Sequence, residues 1–208
     1  MPQVKIGVLI SGSGTNLQSL IDNIENGKIN GRITVVISNR KDAYGLNRAR
    51  QKNIAAVYIR QKDYDSFEKF NDAIIDELKS HGVELVVLAG YLKILTPRFI
   101  EEFRNRIINI HPSLIPAFCG KGFYGIKVHE EAINYGVKLS GATVHFVDEK
   151  ADTGPIIIQE AVEVSYEDTA EALQQKVLKI EHKILPLAVK YYCGGKIQIS
   201  GRKVKIKE

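Results

Sequence analysis

The sequence predicts a three-layer α/β fold: an open, mostly parallel sheet with helices on both faces and antiparallel strands toward the C-terminal part. Two observations carry this. Val4 to Ile10 and Leu85 to Ala89 are continuously apolar, without the alternation of a half-exposed sheet, so both faces of these strands are covered. Stretches with apolar residues at helical spacing lie between such runs, and alternation of strand and helix is the pattern of a parallel sheet. The 208 residues, 44% of them hydrophobic, supply one domain with a substantial core.

The first strand, Val4 to Ile10, ends in Ser11-Gly12-Ser13-Gly14-Thr15-Asn16, and from Leu17 the residues Leu17, Leu20, Ile21 and Ile24 mark one helix face. Then come a strand at Ile33 to Ser38, a helix near Tyr44 to Lys52 and a short strand around Ala56 to Ile59. A helix follows over Ser66 to His81, with Phe67, Phe70, Ile74 and Leu78 facing the core. After the Leu85 strand, a short helix starts near Pro97 and Arg106 to Ile110 forms another apolar run. Pro112, Pro116 and several glycines up to Gly125 then make a long irregular loop, a kind of segment that tends to be functional. A helix near Val128 to Tyr135 leads to strands at Ala142 to Val147 and Ile156 to Val164, joined by the turn Asp148 to Gly154. Asp168 with Glu171 signals a helix start, and that helix runs to about Leu185, where Pro186 kinks or ends it. Ile197 to Ile199 and Lys203 to Ile206 around Ser200-Gly201-Arg202 suggest a terminal hairpin.

The formal charge of +5 is uneven: Lys196, Arg202, Lys203, Lys205 and Lys207 crowd the last 14 residues, leaving the rest nearly neutral. No aromatic platform interleaves that tail, so a nucleic-acid partner is not expected. No apolar run reaches the length of a membrane span, and the N-terminus lacks a secretory pattern, so the expected setting is the cytoplasm, away from membranes. With only Cys119 and Cys193, a four-thiolate metal site is impossible. No pair of histidines stands at metal spacing with a carboxylate, and no metal is expected.

Gly12-x-Gly14 between a strand and a helix is suited to a phosphate, because glycine lets the backbone approach and the helix start directs free N–H groups at it. A dinucleotide fingerprint would want glycine at Leu17 and an acid where Asn39-Arg40 stands, so a lone phosphomonoester fits better. Asn109 and His111 are two apart at the end of an apolar strand, on one side of an extended segment. An amide donor beside an imidazole can stabilise a developing oxyanion and move a proton. Asp152 can hold an imidazole in one tautomer and raise its pKa by favouring the cation. His145 alternates with Thr143 and Val147 and faces either the same crevice or the core.

Ile-Ser-Gly-Ser-Gly-Thr-Asn-Leu at 10–17, Ala-Gly-Tyr-Leu-Lys-Ile-Leu at 89–95 and Asn-Ile-His-Pro-Ser-Leu-Ile-Pro at 109–116 together resemble the folate-dependent phosphoribosylglycinamide formyltransferases. Gly-Ala-Thr-Val-His-Phe-Val at 141–147, followed by Asp152-x-Gly154, and Ile180-Glu181-His182 extend the likeness over nearly the whole chain. The resemblance implies a single Rossmann-like formyltransferase domain over 1–208: a phosphate-binding half at 1–105, a catalytic and folate-binding half at 106–193 and a hairpin appendage at 194–208. It implies that Asn109, His111 and Asp152 are catalytic, with Ser113 and His145 behind them. Gly14, Thr15 and Asn16 would take the substrate phosphate, and Leu178, Lys179, Ile180 and Glu181 the glycinamide end. Folate would lie along Leu92, Lys93, Ile94 and Leu95, against Asn109, and along the turn Asp148, Glu149, Lys150, Ala151 and Asp152. By this likeness the amine of glycinamide ribonucleotide attacks the formyl carbon of 10-formyltetrahydrofolate, the co-substrate, directly, while Asn109 and protonated His111 steady the oxyanion. The expected partners are these small molecules alone, and the expected state a monomer or homodimer. Relatives that hydrolyse the formyl group carry an extra N-terminal regulatory domain, whereas here the first strand begins at Val4. Phe67 stands where some members carry a basic residue, Cys119-Gly120 where many have Pro-Gly, and Lys121 to Lys127 looks longer than in compact members.

Overall fold

Burial of whole strands, four residues of four at Leu85–Leu88, shows that the sheet is covered on both faces. The computed structural model describes residues 2–207; Met1 and Glu208, the outermost residues of the expected domain and of its tail, lie outside the described residues. The strands are β1 (Val4–Ile10), β2 (Gly31–Ser38), β3 (Ala55–Tyr58), β4 (Leu85–Leu88), β5 (Ile107–His111), β6 (Leu139–Phe146) and β7 (Ile156–Glu163). They run in the order β3-β2-β1-β4-β5-β6-β7. Pairing is parallel for β1 with β2 and β4 and for β2 with β3, and antiparallel for β6 with β7. This is the expected class, with its antiparallel part toward the C-terminus. The chain forms two compact units that meet in sequence between Ile108 and Asn109.

In the first unit, α1 (Thr15–Glu25) and α2 (Tyr44–Gln51) follow β1 and β2, and α3 (Phe67–Ser80) precedes β4. The side chain of Ser66 accepts the N–H of Lys69 and so caps α3, an interaction worth about 1 kcal/mol. Phe70, Ile74 and Leu78 are buried on its inner face, each contributing about 1.5 to 3 kcal/mol. A short helix, α4 (Pro97–Glu102), starts with proline just inside a Thr96 cap.

In the second unit, α5 (Ile126–Tyr135) precedes β6, and α6 (Ala170–Cys193) packs on β6 and β7. A two-stranded hairpin follows, β8 (Ile197–Ser200) with β9 (Lys203–Ile206). α6 departs from expectation at both ends. Its cap is Thr169, whose hydroxyl accepts the N–H of Ala172, because the Asp168 carboxylate is taken by Lys176 and the N–H of Ser165. The helix does not stop near Leu185 but passes through Pro186 to Cys193. Proline deprives one helix carbonyl of its partner, and the burial of Leu185, Pro186, Ala188 and Val189 offsets that loss.

Candidate functional site

The glycine loop leaves β1 through Ser11, which is buried and bonded three ways. Its N–H donates to the carbonyl of Gly90, its hydroxyl donates to Asn39 Oδ1 at 2.6 Å, and the same hydroxyl accepts the N–H of Leu92 at 2.9 Å. The loop and the Leu92 to Leu95 segment of the first unit are thereby joined. Gly14 is the N-cap of α1 in the left-handed region, φ 71°, with no side-chain cap, and α1 begins at Thr15. A Cβ on Gly14 would stand 2.6 Å from the Cα of Gly45. Arg48 reaches back to this loop, donating from Nε to the carbonyl of Ser13 at 2.9 Å. Thr15 is half-buried and Asn16 buried. Leu92, Lys93 and Ile94 are exposed, while Leu95 is buried.

In the second unit, the end of β5, β6 and the turn after β6 bring together Asn109, His111, His145 and Asp152. Asn109 Nδ2 lies 3.1 Å from His145 Nε2 and 3.5 Å from Asp152 Oδ1. Asp152 Oδ2 lies 3.6 Å from His111 Nδ1, and Oδ1 lies 3.6 Å from His145 Nε2. Asp152 itself has φ 56°, a conformation uncommon outside glycine, which turns its carboxylate onto both rings. The loop between β5 and α5 adds main-chain groups: His111 Nε2 donates to the carbonyl of Phe118 at 2.9 Å, and Asp152 Oδ2 accepts the N–H of Gly120 at 2.8 Å. The Phe118 ring meets Phe123 and Tyr135 edge-on and holds that loop in place.

The electrostatics differ from the expected picture in one respect. Burial pushes the His111 imidazole below its ordinary value and outweighs Asp152 and the Phe118 carbonyl, which push it up. Asp152 does favour the cation, as expected, but burial disfavours it more, and the carbonyl of Phe118 rather than the carboxylate fixes the tautomer of the neutral ring. Burial also pushes Asp152 up, yet its polar neighbours, the Gly120 N–H among them, hold it below the ordinary carboxylate value. His129, 1% exposed, is brought down to about 4 by burial and by His111.

Ser113 is buried, and its hydroxyl donates to the carbonyl of Ala117, shaping the loop rather than bonding to the cluster. Asp148 accepts the Thr153 hydroxyl at 2.6 Å and the N–H of Lys150, which closes the turn, while Glu149, Lys150 and Ala151 are exposed. Leu178 is half-buried, Lys179 exposed, and Ile180 and Glu181 buried on α6. Phe118 and Gly120 escaped sequence reasoning, since main-chain partners leave no mark on residue type. His129 is buried in α5. Among the described residues no group of three or more His, Cys, Asp or Glu side chains could hold a metal ion, and no helix is long and apolar enough to cross a membrane.

An amide, two imidazoles and a carboxylate gathered at the end of a sheet strand are the groups that chemistry at a carbonyl-level carbon calls for. Residues 4–189 match the formyl transferase family. The chain is 43% identical over 195 residues to the phosphoribosylglycinamide formyltransferase of Haemophilus influenzae, covering 94% of this chain and 90% of that one. The glycinamide ribonucleotide transformylase 1 of Symbiobacterium toebii superposes with a TM-score of 0.94 at 46% identity, over 99% and 95% of the two chains. A formyltetrahydrofolate deformylase from Pseudomonas syringae superposes at 0.90 with 26% identity, over 99% of this chain and 66% of its own. The chain belongs to the formyl transferase family, among its phosphoribosylglycinamide formyltransferases.

Proposed function

We propose that this chain transfers the formyl group of 10-formyltetrahydrofolate to the amine of 5'-phosphoribosylglycinamide by direct attack, without an acyl-enzyme, giving 5'-phosphoribosyl-N-formylglycinamide and tetrahydrofolate for de novo purine synthesis. The observation that supports this best is the cluster around Asp152: a neutral imidazole beside a carboxylate held ionised, with an amide N–H alongside. As the amine nitrogen bonds to the formyl carbon, the carbonyl oxygen gains charge, and an N–H of Asn109 stabilises it. Neutral His111 takes the proton the amine must lose, and the Asp152 carboxylate stabilises the imidazolium that forms. His111 then gives the proton to the folate nitrogen, the bond from that nitrogen to carbon breaks, and tetrahydrofolate leaves. Because burial favours the neutral ring, His111 serves as base first and, once protonated, as acid.

Gly14, Thr15 and Asn16 are assigned the substrate phosphate, on the glycine turn and the start of α1. Glu181, with Leu178, Lys179 and Ile180 beside it, is assigned the glycinamide end. Leu92 to Leu95 and the Asp148 to Asp152 turn, with Asn109, are assigned the folate. We place the enzyme in the cytoplasm, as a monomer or homodimer acting on these small molecules without metal, membrane or nucleic acid.

The test follows folate absorbance when the purified protein meets 10-formyltetrahydrofolate with and without the ribonucleotide. Deformylation only in its presence is the expected result. Turnover without it would make the protein a hydrolase, and no turnover in either case would remove the catalytic reading.

A further inference from the structure

Asn109 carries two N–H groups and one carbonyl, and it can serve an oxyanion only when the nitrogen is turned toward it. His145 governs which way the amide is turned. His145 is 1% exposed, and its Nδ1 lies 2.8 Å from the carbonyl oxygen of Phe146. A carbonyl only accepts, so Nδ1 carries a proton, and in the neutral ring Nε2 is then a bare acceptor. Nε2 lies 3.1 Å from Asn109 Nδ2 but 3.6 Å from Asp152 Oδ1. The first is a hydrogen-bond length and the second is too long for one, so Nε2 is accepting from the amide.

We propose that His145 is a positioning residue that acts through Asn109: its bare Nε2 accepts one amide N–H and so keeps the other available to the reacting carbonyl oxygen. The proposal rests on the formyl-transfer reading above. With the amide turned over, Asn109 Oδ1 would face an imidazole lone pair and the Asp152 carboxylate together, three acceptors without a proton among them. In the observed orientation the second N–H is held, among the described residues, only by a 3.5 Å contact with Asp152 Oδ1, weak enough to be exchanged for an incoming oxyanion. An imidazolium at His145 would donate from Nε2, demand the amide oxygen and withdraw the donor from the reaction.

Two-bond proton–nitrogen correlation spectra of the ¹⁵N-labelled wild-type protein test the tautomer without any variant. With the His145 ring assigned through its contacts with Phe146, the expected result is a protonated Nδ1 and a bare Nε2. A proton on Nε2, in the other tautomer or in the cation, overturns the proposal. Kinetics test the pathway. His145→Ala lowers kcat by roughly 10² with little change in the ribonucleotide KM, as expected for a misdirected oxyanion donor. In an Asn109→Ala background the same change costs little more, because both act on one interaction. His145→Gln, whose side-chain carbonyl also accepts, recovers part of the loss and covers the case in which His145→Ala fails to fold. Losses that simply add overturn the proposal. Should the wild-type enzyme show no transfer at all, the formyl-transfer reading fails, while the spectrum still decides how His145 orients Asn109.

Discussion

Asp152 and Gly120 are joined by a 2.8 Å hydrogen bond in which the carboxylate accepts a main-chain N–H. The group that faces two imidazoles therefore also fixes one point of the loop between β5 and α5. Phe118, two residues before Gly120, supplies the carbonyl that orients His111. The carboxylate, the loop and the imidazole form one connected unit.

The first prediction follows from that unit. Asp152→Asn removes a charge that raises the His111 pKa, so the acid limb of the rate profile shifts to lower pH while kcat falls. An unchanged limb would uncouple the two groups. Because the folded Asp152 pKa lies below 3.8, its contribution to stability is present above that value and is lost as pH falls through the folded pKa. Urea unfolding of Asp152→Asn is therefore less sensitive to acid than that of the wild type.

Asn109→Ala deletes the donor proposed for the oxyanion. The expected cost is roughly 10² to 10³ in kcat, with the ribonucleotide KM largely unchanged. Wild-type turnover in steady-state assays would refute the role of Asn109.

His129 offers a test in the pH dependence of stability. Its folded pKa of about 4 lies below the ordinary 6.5, so the fold favours the neutral ring. Nothing is lost above 6.5; between 6.5 and about 4 stability declines, by about 3 kcal/mol at most. His129→Leu should flatten that decline in denaturant titrations. A titration of the His129 ring near 6.5 by NMR would contradict it.

Gly14→Ala meets two obstacles, a left-handed backbone and the Cα of Gly45 at 2.6 Å. The conformational cost alone is about 1 to 2 kcal/mol. The melting temperature should fall and the ribonucleotide KM rise, whereas folate affinity measured by fluorescence titration changes less. An unaffected KM would separate this loop from phosphate binding.

Much of this was legible in the residues. The apolar run of β1 matches its observed limits, and Ser66 marked the start of α3, because local spacing and capping are written in side chains. Pro186 misled: its effect on α6 depends on what the helix packs against, which spacing does not carry. Asp168 misled for a similar reason, since Lys176, two helical turns on, claims its carboxylate. In the site, the pairing of Asn109 with His111 could be foreseen from their two-residue separation. The bond from Asn109 to His145 joins positions 36 apart and is set by the register of the strands. The downward shift of His111 comes from burial, which tertiary packing alone decides.

Asp152 and Gly154 stand two apart in one turn, yet they answer to different demands. A Cβ on Gly154 would lie 1.8 Å from the carbonyl oxygen of Phe146, inside the space an atom needs for itself. That exclusion is indifferent to what the enzyme catalyses. Without formyl transfer Asp152 would still answer to its bond with the Gly120 N–H, which another acceptor could supply, while the glycine would remain obligatory for as long as the turn existed.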